Sequence, residues 1–161
     1  MILIGFMGSG KSSIARALKR HGFSIVDTDA WIEETEKKSI AEIFESHGED
    51  YFRTLEYQAL KHVSHTYDVV STGGGIVTHK DSFELLRSTE QTIIWLDAPV
   101  EILIRRARGG GKRPLATSAK SLRARYTSRR ELYAMLADAR IDTSQNKNKC
   151  VEQILNILKK A

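Results

Sequence analysis

The stretch GFMGSGKSS, residues 5–13, constrains the fold of this chain more than any other feature. It fits the pattern G-x-x-x-x-G-K-[ST], with Gly5, Gly10, Lys11 and Ser12 at the fixed positions. An apolar run precedes the stretch and an amphipathic helical pattern follows it, which is the strand–loop–helix context of a phosphate-binding loop. The pattern therefore predicts an α/β fold that binds a nucleotide.

The loop also predicts individual roles. Its backbone N–H groups should point at phosphate oxygens, and the residues that we expect to bind ATP here are Gly8, Ser9, Gly10, Lys11, Ser12 and Ser13. The Lys11 ammonium should reach the β- and γ-phosphates, and the Ser12 hydroxyl should bind Mg²⁺. The alternative is a glycine-rich turn that Ser12 merely caps. The loop does not reveal the acceptor, because hydrolases, motors, switches and kinases share it.

Short apolar runs alternate with helical patterns along the whole chain. The runs that predict buried strands are Ile2–Ile4, Ser24–Val26, Val69–Ser71, Thr92–Leu96 and the region of Ile141. The amphipathic segments that predict helices are Lys11–Arg20, Trp31–Ser46, Tyr51–His65, Ser82–Arg87, Val100–Arg106, Ala119–Ala137 and Val151–Lys159. This alternation predicts one domain over residues 1–161, with a mostly parallel sheet and helices on both faces. Ligands of such sheets bind beyond the carboxyl ends of the strands.

Composition narrows the class of ligand and the compartment. The net charge of +5 favours anionic ligands, but no Lys/Arg tail or aromatic stripe suggests nucleic acid, so we expect no nucleic-acid partner. No apolar run approaches the roughly 18 residues of a membrane span, and no signal peptide pattern is visible. The single cysteine, Cys150, fits a reducing compartment. We expect a cytoplasmic protein without a membrane partner, and a monomer by default.

Two carboxylates follow the second predicted strand. Asp27 and Asp29 are two residues apart, so on extended backbone they should point the same way, beside the phosphate loop. One could orient the Mg²⁺ shell and the other could accept a hydrogen bond from an acceptor hydroxyl. The alternative is that Asp29 or Thr28 caps the helix near Ala30.

A rival for the metal role ends the fourth predicted strand. Asp97 follows four apolar residues, as in a Walker B strand, but it could instead cap the helix that starts near Pro99. We favour the capping role for Asp97.

Arginines are the candidates for binding anionic substrate groups. Arg53 and Glu56 are three residues apart and can pair on one helix face, either as a surface pair or to hold Arg53 for a substrate carboxylate. The segment at residues 107–118 is rich in glycine and charge, which predicts an irregular lid. Its Arg113 could neutralise charge on the transferring phosphoryl group, or it could be a solvated loop charge. Of Arg129 and Arg130, one should face the site and the other water.

The segments GFMGSGKSS, DTD, FRTLE, STGGGIV, KRPL and RRELY occur in one order over residues 5–133, and this set resembles the shikimate kinase family. The resemblance implies ATP-dependent phosphorylation of the 3-hydroxyl of shikimate, in aromatic amino acid biosynthesis. It implies a P-loop, nucleoside-monophosphate-kinase-like, three-layer α/β/α fold with a five-stranded parallel sheet. It also implies one Mg²⁺ ion and an acceptor-binding helical region near residues 30–62.

The resemblance implies the following residue roles. Lys11, Asp29 and Arg113 are the catalytic residues, with Asp29 as the candidate base, and Asp27 acts on the metal through water while Ser12 binds it. The shikimate-binding residues are Asp29, Arg53, Gly73, Gly74, Gly75 and Arg129, with the three glycines as an acceptor wall. Arg113 contacts the ATP phosphates, and Arg106 together with residues 142–148 lies near the adenine.

Other functions remain open at the level of sequence. Another small-molecule P-loop kinase, such as a gluconate or nucleotide kinase, gives no reason for the Asp27–Asp29 pair together with Arg53 and the three glycines. A non-catalytic nucleotide-binding module would release no ADP in response to an acceptor. A nucleic-acid-dependent ATPase would respond to DNA or RNA with strong salt dependence.

Overall fold

A computed structural model describes residues 1–109 and 118–161. Its sheet has five strands in the order β2-β3-β1-β4-β5, and all four neighbouring pairs are parallel. The strands are β1 (Ile2–Ile4), β2 (Ile25–Asp27), β3 (Val69–Ser71), β4 (Ile93–Asp97) and β5 (Ala139–Asp142). The predicted five-stranded parallel sheet is therefore confirmed, with strand limits that differ by one residue at β2 and β4.

Seven helices lie in the described ranges. They are α1 (Lys11–Lys19), α2 (Thr28–Glu36), α3 (Ile40–Val63), α4 (Lys80–Ser88), α5 (Val100–Gly109), α6 (Ala119–Leu136) and α7 (Lys147–Lys160). A 3₁₀ turn at Ile76–Thr78 follows the triple glycine. None of the helices within the described ranges is long and apolar enough to cross a membrane.

Side-chain alternation along β1 shows how the sheet carries helices on both faces. Ile2 and Ile4 belong to a core cluster with residues of α3, α4, α5 and α6, whereas Leu3 packs with residues of α1 and α7. Successive side chains of a strand point to opposite faces, so a fully apolar strand such as β1 must be covered on both sides. The predicted three-layer arrangement is confirmed.

The region between β2 and β3 was predicted with a wrong helix boundary. The structure ends α2 at Glu36, places Lys37 in the left-handed region with φ 55°, and starts α3 after Ser39. Ser39 and Glu42 form a capping box, in which each side chain accepts from the other residue's backbone N–H. The break predicted between residues 46 and 51 is instead a kink at Gly48, with φ 81° and ψ −180°.

The lid segment was predicted to begin at residue 107, which the structure places inside α5. Residues 107–109 continue α5, and Ser118 caps α6 by accepting from the N–H of Ser121. Most of the segment, including Arg113, lies outside the described residues.

Candidate active site

The phosphate loop follows β1 and depends on backbone conformations that favour glycine. Gly8 and Gly10 have φ angles of 79° and 89°. A Cβ at Gly8 would lie 2.5 Å from the Leu103 carbonyl oxygen, so this glycine also lets the loop pack on α5. Gly10 occupies the N-cap position of α1 and has no side chain to cap it. The first backbone N–H groups of α1 therefore lie beside a cavity, where they can donate hydrogen bonds to an anion.

Lys11 lies over the loop that precedes it. Its Nζ donates to the Gly5 carbonyl at 2.5 Å, to the Phe6 carbonyl at 3.1 Å and to Ser9 Oγ at 3.3 Å. Carbonyl and hydroxyl oxygens hold the ammonium at the loop, where it can bind an incoming phosphate as a compact point charge.

A cavity of about 560 Å³ lies at the carboxyl ends of the strands and brings most of the predicted residues together. The phosphate-loop residues 7–13 form one wall, and Asp27 and Asp29 lie beside them. Residues 71–74, Arg16, Arg106 and Ala107 complete the described lining. Gly75, Arg53 and Arg129 are not among the lining residues of this cavity.

The two aspartates line the same cavity because they lie on either side of the junction between β2 and α2, and not because they alternate along a strand. Asp27 ends β2 and caps α2, with Oδ1 accepting from the Ala30 N–H at 3.1 Å. Asp29 is already in the first turn of α2, so the two residues are not aligned on extended backbone. Capping by Asp27 also corrects the alternative in which Asp29 or Thr28 capped this helix.

The structure excludes the favoured capping role of Asp97. Helix α5 begins at Val100, and the Asp97 carboxylate is fully buried. Its oxygens accept from the Tyr126 hydroxyl at 3.1 and 3.2 Å and from Arg140 at 2.7 and 3.0 Å. The rival metal role gains no support either, because this carboxylate does not line the cavity of the phosphate loop. Asp97 therefore joins β4 to β5 and α6.

Ser12 and Asp27 present oxygen ligands of the kind that Mg²⁺ prefers. Together with Ser71 they line a second cavity of about 310 Å³ beside the phosphate loop. Ser71 Oγ is buried and has no hydrogen-bond partner within the part of the chain that the structure describes. These two hydroxyls and one carboxylate are ligands that suit a hydrated cation, and the basic residues Arg16 and Lys19 line the same cavity.

Arg53 is fixed in place by two carboxylates of α3. Its Nη1 donates to Glu56 Oε1 at 2.5 Å, and its Nη2 donates to Glu49 Oε1 at 3.0 Å. The side chains of Arg53 and Glu56 are 11% and 1% exposed, so their pair is not the surface pair that the sequence allowed. Burial raises the pKa of Glu56 to about 7, although the guanidinium of Arg53 lowers it.

The triple glycine lies against these same side chains. A Cβ at Gly73 would lie 2.5 Å from Glu56 Oε2 and 3.0 Å from Asp29 Oδ1, and a Cβ at Gly75 would overlap the guanidinium of Arg53. A Cβ at Gly74 would touch the phosphate loop, 3.3 Å from the Gly5 carbonyl oxygen. From the sequence, these glycines were expected to leave space for the acceptor. In the structure, the side chains of Asp29, Arg53 and Glu56 already occupy the space that a Cβ at Gly73 or Gly75 would need.

Of the two adjacent arginines on α6, Arg129 faces the site. Arg129 is half-buried and Arg130 is exposed, which confirms that the neighbours diverge. Burial lowers the pKa of Arg129, the Tyr133 hydroxyl opposes this effect, and the nearby charges of Arg53 and Arg125 lower the pKa further. Arg53 and Arg129 are thus close enough to repel each other, as two groups that bind one carboxylate must be.

Arg106 lies between the phosphate loop and the segment after β5. Its guanidinium donates to the Thr143 carbonyl at 2.9 Å, to Thr143 Oγ1 at 3.3 Å and to the Gly8 carbonyl at 3.4 Å. Thr143 and Arg106 also line a cavity of about 300 Å³ with Gly10 and Lys147. This cavity adjoins the phosphate loop, in the place where the sequence predicted adenine contacts.

The sequence did not predict the contacts of one residue beside the glycine loop, Tyr133, or of two residues outside the site, Tyr126 and Arg140. Tyr126 and Arg140 hold Asp97, and Tyr133 donates from its hydroxyl to the Gly74 carbonyl at 2.5 Å. The two tyrosines are seven residues apart on α6 with Arg129 between them, a spacing that places all three near one helix face. That spacing was a usable signal.

Comparisons with known proteins agree with one another. The family model described as shikimate kinase matches residues 7–159. A shikimate kinase of Staphylococcus epidermidis is 38% identical over 162 residues, covering 99% of this chain and 92% of that protein. A shikimate kinase of Staphylococcus aureus is 37% identical over 163 residues, with 99% and 93% covered.

Solved structures give the same result. The shikimate kinase of Acinetobacter baumannii in complex with shikimate has a TM-score of 0.89 at 31% identity, covering 99% of this chain and 92% of that one. The shikimate kinase of Aquifex aeolicus has a TM-score of 0.82 at 33% identity, with 98% and 94% covered. A deoxyadenosine kinase of M. mycoides, with a TM-score of 0.63 at 17% identity and 99% of both chains covered, shares the fold.

Proposed function

The chain belongs to the shikimate kinase family, and from this membership we propose a role for each residue of its site. Its activity is that of an ATP-dependent kinase, which transfers the γ-phosphoryl group of ATP to the 3-hydroxyl of shikimate in aromatic amino acid biosynthesis. The observation that carries the residue roles is one cavity in which Asp29 and the glycines after β3 face the phosphate loop.

At the phosphate end, backbone amides of residues 8–13 bind the ATP phosphates, and Lys11 neutralises charge on the β- and γ-phosphates. The contacts of Lys11 with its own loop support this role, because they keep the ammonium at the mouth of the cavity. Ser12 would hold one Mg²⁺ ion directly and Asp27 would hold it through water. A cation held there would supply positive charge that offsets the negative charge on the transferring phosphoryl group.

At the acceptor end, Asp29 orients the 3-hydroxyl of shikimate and accepts its proton. Its carboxylate faces the glycine loop, 3.0 Å from the position of a Gly73 Cβ, so a hydroxyl lying on the loop comes within reach of the carboxylate. Arg53 and Arg129 bind the shikimate carboxylate. The buried Glu56 supports this role, because it holds the Arg53 guanidinium in one orientation before substrate arrives.

Two further roles rest on the family. Arg113, which lies outside the described residues, contacts the ATP phosphates from a lid between α5 and α6. Arg106 and residues 142–148 bind adenine, and the cavity beside Thr143 supports that placement. Transfer then requires alignment of two bound substrates and stabilisation of charge more than covalent chemistry by the protein.

The remaining assignments are simpler. We propose a monomer that acts in the cytoplasm, with ATP and shikimate as its small-molecule partners and without a nucleic-acid or membrane partner. The biosynthetic role of the family and the single cysteine support the cytoplasmic part of this assignment.

The substitution Asp29→Asn tests the role of the base. It keeps the size of the side chain but removes its ability to accept a proton, so we expect kcat to fall by roughly 10²–10⁴-fold with the Kd for ATP unchanged. The matched control is Asp81→Asn, an exposed aspartate in the first turn of α4, which should retain wild-type turnover. Near-normal turnover of Asp29→Asn would remove Asp29 from the role of base.

A further inference from the structure

Tyr133 connects the hydrophobic core to the acceptor loop. The residue is fully buried, and its ring stacks on Trp95 of β4 with 5.9 Å between ring centroids. Its hydroxyl extends past the core and donates to the Gly74 carbonyl at 2.5 Å. The middle residue of the triple glycine is thereby attached to α6.

Arg129 lies four residues before Tyr133 on α6, so their side chains are neighbours on one helix face, and the Tyr133 hydroxyl raises the pKa of Arg129. The other charged groups that act on Arg129 include Arg53 and Arg125, which repel it. Glu56 attracts Arg129, but its Oε1 already accepts from Arg53 at 2.5 Å. A neutral oxygen at Tyr133 thus stabilises the guanidinium of Arg129 within a group of like charges.

The bonding capacity of a phenol suits both contacts at once. A phenol has one proton to donate and lone pairs that accept. The proton goes to the Gly74 carbonyl, which leaves the lone pairs of the hydroxyl to accept from the neighbouring guanidinium of Arg129. A tyrosine hydroxyl is protonated at neutral pH, and burial raises the pKa of Tyr133 further above that range.

Gly74 also lies against the phosphate loop, since its Cβ position is 3.3 Å from the Gly5 carbonyl oxygen and 3.4 Å from the Met7 nitrogen. We propose that Tyr133 is a positioning residue, whose hydroxyl sets the place of the shikimate-carboxylate arginine, Arg129, relative to the glycine loop and the phosphate site. This inference rests on the proposed role of Arg129 in binding shikimate.

The test is Tyr133→Phe, which removes the hydroxyl and retains the ring. We expect the KM for shikimate to rise about tenfold, as for a lost hydrogen bond to a charged group, with the KM for ATP unchanged. The control is Tyr126→Phe, which removes the other buried hydroxyl of α6, from Asp97. It should lower Tm without changing the KM for shikimate. An unchanged KM in Tyr133→Phe, or a rise equal to that of Tyr126→Phe, overturns the inference.

A double-mutant cycle separates this inference from the proposed function. If Tyr133 acts through Arg129, then Tyr133→Phe should change shikimate affinity much less in an Arg129→Ala background than in the wild type. Full additivity overturns the inference. If Arg129→Ala alone leaves the KM for shikimate unchanged, the proposed role of Arg129 fails instead, and the inference fails with it.

A second measurement does not depend on the folding of Tyr133→Phe. The carbonyl ¹³C resonance of Gly74 is recorded in the wild-type protein and in Arg129→Ala. Hydrogen bonds in a chain polarise one another, so removing the guanidinium should shift this resonance through the Tyr133 hydroxyl. An unmoved Gly74 resonance, beside shifts only at residues that contact Arg129 directly, overturns the inference.

Discussion

Position 75 has no room for a side chain, because the Arg53 guanidinium occupies the space beside the α-carbon of Gly75. The Gly75→Ala substitution should displace Arg53 from its place beside Glu56. We expect the KM for shikimate to rise by about tenfold or more, as for a lost charge-assisted contact, with the KM for ATP little changed.

Gly74→Ala is the informative comparison, because its added methyl group meets the phosphate loop and not Arg53. This variant should raise the KM values for both substrates. Steady-state kinetics with each substrate varied in turn measures the contrast, and identical profiles for the two variants would contradict the placement of Arg53.

Glu56 gives the stability of the protein a particular pH dependence. Its folded-state pKa of about 7 lies above its ordinary value of 4.5, chiefly because of burial. The carboxyl therefore contributes its full stability below about pH 4.5, and this contribution is lost as the pH rises through about 7. Relative to Glu56→Gln, the wild-type free energy of unfolding should fall by up to about 3 kcal/mol over that range.

Urea unfolding at several pH values measures this difference. Glu49→Gln is the matched control, because it removes the exposed carboxylate that pairs with the same arginine. It should retain the wild-type pH profile. A constant difference between wild type and Glu56→Gln across the range would contradict the burial of a titrating carboxyl.

At the scale of residues, sequence spacing predicted which side chains form an ion pair better than it predicted how deeply the pair is buried. The spacing of Arg53 and Glu56 indicated a pair, but nothing in it showed that the pair is buried under the glycine loop. Burial depends on how α3, β3 and α6 pack, which is a property of the folded chain. Asp97 was misjudged for the same reason, since its partners are 29 and 43 residues away.

Among the elements, β4, β5 and α6 are joined by Asp97. Asp97→Asn should lower the free energy of unfolding by about 1–3 kcal/mol, because a buried network loses its charge. It should leave the Mg²⁺ dependence of ATP binding unchanged, since the carboxylate contacts Tyr126 and Arg140. Calorimetric titration of ATP at several Mg²⁺ concentrations checks this, and a loss of Mg²⁺ dependence would restore Asp97 as a metal residue.

The kink of α3 depends on Gly48. Its φ of 81° with ψ −180° is a conformation that L side chains rarely adopt, although no atom lies within 4 Å of its Cβ position. Gly48→Ala should therefore destabilise the protein by about 1–3 kcal/mol through backbone strain alone. Ser46→Ala, at an exposed position of the same helix, is the control for thermal unfolding. Equal Tm values for the two variants would show that α3 can straighten at no cost.

Strands were predicted more accurately than the helices between β2 and β3. β1 and β3 match their predicted limits, because continuous buried apolar runs have few alternatives in a parallel sheet. The helical patterns of α2 and α3 merge across Lys37, where a non-glycine residue in the left-handed region ends a helix without a sequence signal. The capping box at Ser39 was a readable start signal for α3 that periodicity alone did not use.

For the whole molecule, sheet topology explains why distant motifs form one site. The order β2-β3-β1-β4-β5 places β3 between β2 and β1, so the loops after these three strands meet at one edge. The phosphate loop follows β1, the triple glycine follows β3, and the two aspartates lie at the junction of β2 and α2. The sequence predicted this convergence because a parallel sheet leaves the ends of its strands little freedom.

The central claim is that the phosphate loop and the acceptor residues form one kinase site for shikimate. ADP release by the purified protein with ATP and Mg²⁺ tests it most directly, with shikimate, gluconate, nucleoside monophosphates, DNA or RNA added in turn. We predict strong stimulation by shikimate alone. ATP binding without any stimulation by shikimate would leave the phosphate loop intact but contradict the roles given to Asp29, Arg53 and Arg129.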